Sequence, residues 1–161
     1  MLGRSEEYEK LKAEYAEKFA ERAAGAAMQL RMYDILIHDM EADCSGVSGV
    51  SYDKAGNNPN AYVDGVHDQS IRMSSSLERW RAGRKEAKAV VDAAARSIAK
   101  VEDARCRQVL ELKYLDGFSW KQVAKAVDCS ESSAKHMRVK ALAMLYDCMP
   151  EQFKLPSYDA V

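Results

Sequence analysis

A run of hydroxyl, carboxylate, ammonium and imidazole groups lies between residues 130 and 140, in a stretch that holds neither glycine nor proline. Hydroxyl and ammonium groups can donate hydrogen bonds to phosphate oxygens, and serine, glutamate and lysine side chains can pair with the edges of bases. This is the chemistry of binding, not of bond cleavage. The side chains concerned belong to Ser130, Glu131, Ser132, Ser133, Lys135, His136, Arg138 and Lys140.

Other reactive side chains are too scattered to form a catalytic or metal site. His38 and His67 lie on either side of Cys44, with Asp39 and Asp43 nearby, but their spacing matches no known set of metal ligands. The sequence also has no Gly-rich phosphate loop and no pattern typical of a nucleophile with its base. We therefore expect no enzymatic activity, no catalytic residue, no cofactor and no metal.

The composition is that of a folded protein in a reducing compartment. Of the 161 residues, 47% are hydrophobic and 30% are charged. No window holds the roughly 20 consecutive apolar residues of a membrane span, and the N-terminus lacks the apolar segment of a secretory signal. Four cysteines without a CxxC pair indicate neither a disulfide scaffold nor a zinc site. The sequence predicts a cytoplasmic protein without a membrane partner, in which three of these cysteines are packing residues: Cys106, Cys129 and Cys148.

Charge is unevenly distributed along the chain. The formal net charge is −1, but residues 1–68 carry 7 basic and 13 acidic side chains, whereas residues 69–148 carry 16 and 10. A chain with so little net charge can bind nucleic acid only through a local patch. One cluster, which we call the basic stripe, either pairs with acidic residues of the first helix or faces phosphate groups. It comprises Arg72, Arg79, Arg81, Arg84, Lys85 and Lys88.

Two long helices are predicted in the first hundred residues. Apolar or small residues recur at steps of three and four from Tyr8 to Met40 and again, with one lapse, from Met73 to Val101, as expected for amphipathic helices. Residues 43–68 hold four glycines, one proline and three asparagines, which predicts an irregular loop. Residues 1–100 are therefore predicted to form a long antiparallel helical hairpin for oligomerisation or partner binding. Its helices pair within one chain or with a second copy.

Residues 101–148 have the pattern of a helix-turn-helix. A leucine-rich helix is predicted to end at Asp116-Gly117, and Ser119 with Gln122 forms a capping-box pattern at the start of the next helix. Asp128-Cys129-Ser130 makes a three-residue turn, after which Ser130 caps a third helix. The predicted fold is all-α, and the apolar face of the third helix is formed by Ala134, Met137, Ala141, Leu142 and Leu145.

The run from Arg107 to Ala124 resembles the fourth region of bacterial sigma factors, and so do Ser130–Lys135 and Lys140–Leu142. That region binds the −35 promoter element. The resemblance implies that Ser130 contacts a phosphate, that Lys140 holds the DNA backbone, and that other side chains of the third helix face base edges. The residues expected to bind DNA are Ser130, Glu131, Ser132, Ser133, Lys135, His136, Arg138, Lys140 and, in the preceding helix, Lys121.

The layout as a whole, with a tail at 149–161, is similar to phage late-gene transcription regulators of the RinA and ArpU type. This resemblance implies a regulator in a bacterial host cell that binds double-stranded DNA, with bacterial RNA polymerase as a second partner. Because a single module of this size buries only about 600–1,000 Å² on DNA, we expect a homodimer or a higher homo-oligomer. Two alternatives are the small DNA-packaging subunit of a phage terminase and an anti-regulator that binds polymerase instead of DNA.

Overall fold

Two long helices and a set of shorter ones make up the chain. The structure is a computed structural model that describes the backbone of residues 2–46 and 59–155 and the side chains of residues 6–43 and 69–155. The helices are α1 (Leu2–Gly46), α2 (Pro59–Ala99), α3 (Ala104–Leu110), α4 (Trp120–Ala126) and α5 (Glu131–Cys148). A π-helical turn, Glu111–Leu115, continues α3, and a 3-10 turn, Glu151–Phe153, follows α5. Since these ranges contain no strand, the described part of the chain is all-α, as predicted.

The loop predicted for residues 43–68 is wrong at both ends. Helix α1 continues to Gly46 and α2 begins at Pro59, so only residues 47–58 of that segment lie outside the described backbone. Proline suits the first position of a helix because its missing N–H would have no partner there, and glycine is common where helices end. Gly65 lies inside α2, where it weakens the helix without ending it. Gly46 and Pro59 thus lie at the ends of helices and not inside a loop.

One compact unit combines Met1–Met28 with Ala87–Val161. Its largest core, which we call the main core, joins α1 and α2 to α3 and α5. Small alanine side chains on α1 and α2 allow the helices to approach closely, and larger side chains fill the space between them. This grouping differs from the predicted division at residue 100, because α1 forms one wall of the core. Members of the main core include Ala16, Phe19, Ala20, Ala23, Ala94, Ile98, Leu110, Ala141, Leu142 and Leu145.

The residues that follow α5 also pack on the main core. Met149 is buried, and the rings of Phe19 and Phe153 lie 5.0 Å apart between centroids. The backbone N–H of Leu155 donates a hydrogen bond to the hydroxyl of Tyr146 at 3.0 Å. The first part of the segment predicted as a tail therefore contributes to the same core as α1.

The other compact unit, Gln29–Glu86, contains parts of α1 and α2 that pair with each other. Asp34 forms an ion pair with Arg84, and Glu41, further along α1, pairs at 2.7 Å with Arg81, which comes earlier in α2. The order of these pairs makes the helices antiparallel. In this structure both ion pairs join residues of the same chain.

The predicted apolar periodicity is confirmed over most of both helices. Phe19 and Ala23 of α1 are buried, as are Ala87 and Ile98 of α2. At the start of the α1 series Tyr8 and Leu11 are exposed, and Arg84, the lapse in the α2 series, is exposed and paired. No helix within the described ranges is long and apolar enough to cross a membrane.

Candidate nucleic-acid interface

Helix α4 begins at the capping box that the sequence predicts. The hydroxyl of Ser119 accepts a hydrogen bond from the backbone N–H of Gln122 at 3.4 Å, and the backbone N–H of Ser119 donates to the Gln122 side chain at 2.9 Å. Just before it, Gly117 has a φ of 75°, a left-handed conformation that glycine adopts without steric cost. The direction in which α4 leaves the π-helical turn is thus determined by local residues.

The turn between α4 and α5 is held by hydrogen bonds from both sides. The backbone N–H of Cys129 donates to the carbonyl of Ala124 at 2.9 Å, and Asp128 has a φ of 53°. A left-handed residue is needed here, and aspartate tolerates that conformation better than most residues with a Cβ. Ser130 then caps α5 by accepting a hydrogen bond from the N–H of Ser133 at 3.1 Å. The predicted turn and N-cap are therefore confirmed.

A second, smaller core lies between α3, α4 and α5. Its buried members are Val109, Val123, Ala124, Val127 and Ala134, and Trp120, Cys129 and Met137 pack against them partly buried. Ala124 and Ala134 are small enough to let α4 and α5 approach each other closely. This packing buries the apolar side of α5 and leaves its polar side in solvent.

The polar side of α5 carries most of the predicted binding residues. Those that are exposed are Glu131, Ser132, Ser133, Lys135, His136 and Lys140. Ser132, Ser133 and His136, with Met137 and Lys140, line a shallow open concavity on this side. Val139, with 55% of its surface exposed, adds an apolar group to the same exposed side. Lys121 in α4 is exposed as well.

Residues 103–145 match the family model "Sigma-70, region 4". The matched range covers α3, α4, the turn and α5 as far as Leu145. This segment is therefore a sigma region 4-like helix-turn-helix. Neither a curated protein nor a solved structure matches the chain.

Four predicted binding residues of the sigma region 4-like segment, Ser130, Ser133, Arg138 and Lys140, have partners within the chain. The Ser130 hydroxyl caps α5 and lies 2.9 Å from the Ser133 hydroxyl. Lys140 Nζ lies 2.8 Å from Asp103 Oδ2, and Arg138 Nη1 lies 2.7 Å from Glu17 Oε1. Contact between the predicted residues and DNA stays a prediction.

Asp103 accepts three hydrogen bonds at the start of α3. It caps α3 by accepting hydrogen bonds from the backbone N–H groups of Arg105 and Cys106, at 3.0 and 3.1 Å. The hydrogen bond from Lys140, helped by the Cys106 N–H, lowers the pKa of Asp103 to about 2. The carboxylate thus ties the middle of α5 to the start of α3 in its charged form.

Arg138 lies among aromatic and acidic groups that sequence reasoning did not connect with it. Its guanidinium carbon is 5.9 Å from the centre of the Trp120 ring, and Lys113 Nζ is 5.2 Å from the same ring. Burial raises the pKa of Tyr114, and the charge and hydrogen bonding of Arg138 act against this rise. Glu17 is 121 positions away in the sequence, and no local pattern reveals such a pair.

The basic stripe of α2 has partners on its own chain. Arg81 and Arg84 pair with acidic residues of α1, while Lys88 pairs with Asp92 at 2.7 Å. For Arg81 and Arg84, the structure supports pairing with the acidic first helix.

The remaining predicted candidates are histidines and cysteines. The side chains of Cys44 and His67 lie outside the described residues, and His38 is exposed beside Asp39. Among the side chains that the structure describes, no group of three could hold a metal ion. Cys106 is buried, and burial raises the pKa of its thiol. Cys129 and Cys148 are half-buried.

Proposed function

We propose that this protein is a phage-type transcription regulator that binds promoter DNA through α5 of its helix-turn-helix, with bacterial RNA polymerase as a second partner. In this proposal the protein acts in the cytoplasm of a bacterial host, as a binding protein without enzymatic activity. The exposed side of α5 reads bases in the major groove, the usual role of the second helix of such a unit.

The observation that carries this proposal is the separation of faces on α5 within the segment that matches sigma region 4. Ala134, Ala141 and Leu145 are buried, while Ser132, Lys135 and His136 are exposed on the other side. Lysine can donate to guanine and serine can pair with several bases, so this side offers groups suited to base edges. Val139 adds an apolar surface of the kind that contacts the thymine methyl group.

A second candidate function, binding to a protein such as polymerase instead of DNA, is supported by charge. Residues 101–148 carry 8 basic and 7 acidic side chains. Two of the basic ones, Arg138 and Lys140, are paired with acidic groups of the same chain. The exposed positive charge available for phosphate contacts is therefore modest.

The test is selection of bound duplexes from a random double-stranded DNA library, followed by affinity measurements on the selected sequence. We expect Lys135→Ala to weaken binding to the selected duplex about tenfold and to relax the base preference at one position. Lys10→Ala is the matched control because it removes the same charge from an exposed position in α1. If the protein enriches no sequence, or if both variants bind the selected duplex equally well, α5 is not the reader.

The oligomeric state is a separate part of the proposal. We expect a dimer on paired half-sites, which sedimentation with and without the selected duplex measures. A strict monomer on DNA would contradict this, and a ring of many copies would instead favour the packaging-subunit alternative.

A further inference from the structure

Arg138 connects α5 with three other parts of the chain. Its guanidinium lies 2.7 Å from Glu17 in α1 and faces Trp120 in α4. Its charge and hydrogen bonding also oppose the rise in the pKa of Tyr114, in the π-helical turn. Only 33% of its side chain is exposed.

The position of Arg138 along α5 places it on the inner side of the helix. At about 100° per residue, residue 138 lies between the directions of the buried residues Ala134, Leu142 and Leu145. The exposed residues Ser132 and His136 point the opposite way. Arg138 therefore lies on the inner side of α5, at its border with the exposed side to which Glu131 belongs.

The partly buried guanidinium of Arg138 relies on Glu17 as its counter-charge. Arg138 Nε is buried and has no hydrogen-bond partner within the described part of the chain. A guanidinium that is partly removed from water needs a counter-charge, because an unpaired charge is costly to bury. The structure describes one acidic partner within ion-pair distance of it, Glu17.

We propose that Glu17 is a positioning residue for DNA recognition, acting through Arg138. In this role Glu17 holds the guanidinium against Trp120 and so maintains the orientation of α5 on which base reading depends. The inference rests on the proposed function only for its effect on DNA. The effect of Glu17 on α5 itself can be measured without DNA.

The first experiment uses no DNA. In a Trp80→Phe background, Trp120 is the one remaining tryptophan of the sequence, and Glu17→Gln is expected to shift its emission because the guanidinium leaves the ring. Faster amide hydrogen exchange is expected over residues 131–138. Glu14→Gln is the matched control: it removes the same charge from α1, where Glu14 forms a local ion pair with Lys18 at 2.7 Å. Unchanged emission and exchange in Glu17→Gln would overturn the proposal.

The second experiment measures affinity for the selected duplex in a double-mutant cycle. Relative to Glu14→Gln, we expect Glu17→Gln to weaken binding about tenfold. The same substitution should have no further effect in an Arg138→Met background, because the action of Glu17 passes through Arg138. Glu17→Asp, which keeps the charge, should restore part of the affinity and shows whether loss of binding follows from misfolding.

The outcomes separate the two proposals. Tighter binding by Glu17→Gln would mean that Glu17 masks a DNA-binding arginine, and an undiminished effect in the Arg138→Met background would mean that Glu17 acts by another route. Either result overturns the positioning role. If the protein enriches no duplex, the proposed function fails, while the emission of Trp120 and the exchange of α5 still decide whether Glu17 positions the helix.

Discussion

Asp103 shows how much a single carboxylate can do in this fold. It caps α3 with two backbone hydrogen bonds and accepts a third from Lys140 of α5. Its pKa of about 2 lies below the ordinary value of 3.8. A lowered pKa means that the folded state favours the charged carboxylate. The resulting stabilisation is fully present above pH 3.8 and is lost as the pH falls towards 2.

Replacement of Lys140 by methionine is expected to raise the pKa of Asp103 towards 3.8, because the hydrogen bond from Lys140 is the largest cause of the shift. The backbone N–H of Cys106 remains, so the return should be incomplete. The measurement is an NMR titration of the Asp103 carboxyl carbon. Lys18→Met, which breaks a local pair with Glu14, is the control and should leave the Asp103 titration unchanged. An identical pKa in both variants would contradict the role of Lys140.

At the scale of helices, what could be predicted from sequence depended on local patterns. Ser119 and Gln122 are three residues apart, and the capping box that they form is a property of that short segment. The N-cap of α5 at Ser130, and the end before Gly117 of the helical segment formed by α3 and the π-helical turn, are predicted for the same reason. Such signals need no knowledge of the rest of the fold.

Other features of the helices depend on distant residues and could not be read locally. The alanine series of α1 predicts a close neighbour but does not say that α3 and α5 share it with α2. The pairing of Glu17 with Arg138 spans 121 positions. At Gly46 and Pro59 the residue types were informative, but they mark helix ends as readily as loops.

Two glycines within the long helices are expected to respond differently to alanine. A Cβ at Gly25 meets nothing within 4 Å, so Gly25→Ala should raise the free energy of unfolding by about 1 kcal/mol through helix propensity. A Cβ at Gly83 would lie 2.6 Å from the Tyr33 ring, which would have to move. Gly83→Ala should therefore gain less or lose stability. Urea unfolding of both variants measures the difference, and equal gains would show that Tyr33 adapts at no cost.

At the scale of the whole molecule, residues of α1 and residues that follow α5 pack together in the main core. Phe19 is buried in α1 and packs on Phe153 beyond α5, in a core that also holds Leu142 and Leu145. The helix-turn-helix segment at 103–145 is thus only part of a larger packed unit.

We expect Phe19→Ala to lower the free energy of unfolding by about 3–5 kcal/mol, because it leaves a cavity in the main core. Met28→Ala is the control on the same helix: Met28 is 74% exposed, and the change should stay within about 0.5 kcal/mol. Denaturant unfolding followed by circular dichroism measures both. An effect as small as that of Met28→Ala would contradict the role of Phe19 in the main core.

The contact between Phe19 and Phe153 joins a residue that is synthesised early to one that is synthesised late. A ribosome adds roughly 5–20 residues per second, so Phe153 follows Phe19 by about 7–27 seconds. During that interval α1 can pair with α2, whose residues are made first, but the core around α5 lacks its last members. The newly made chain would acquire its ordered α5 last, after the hairpin has already formed.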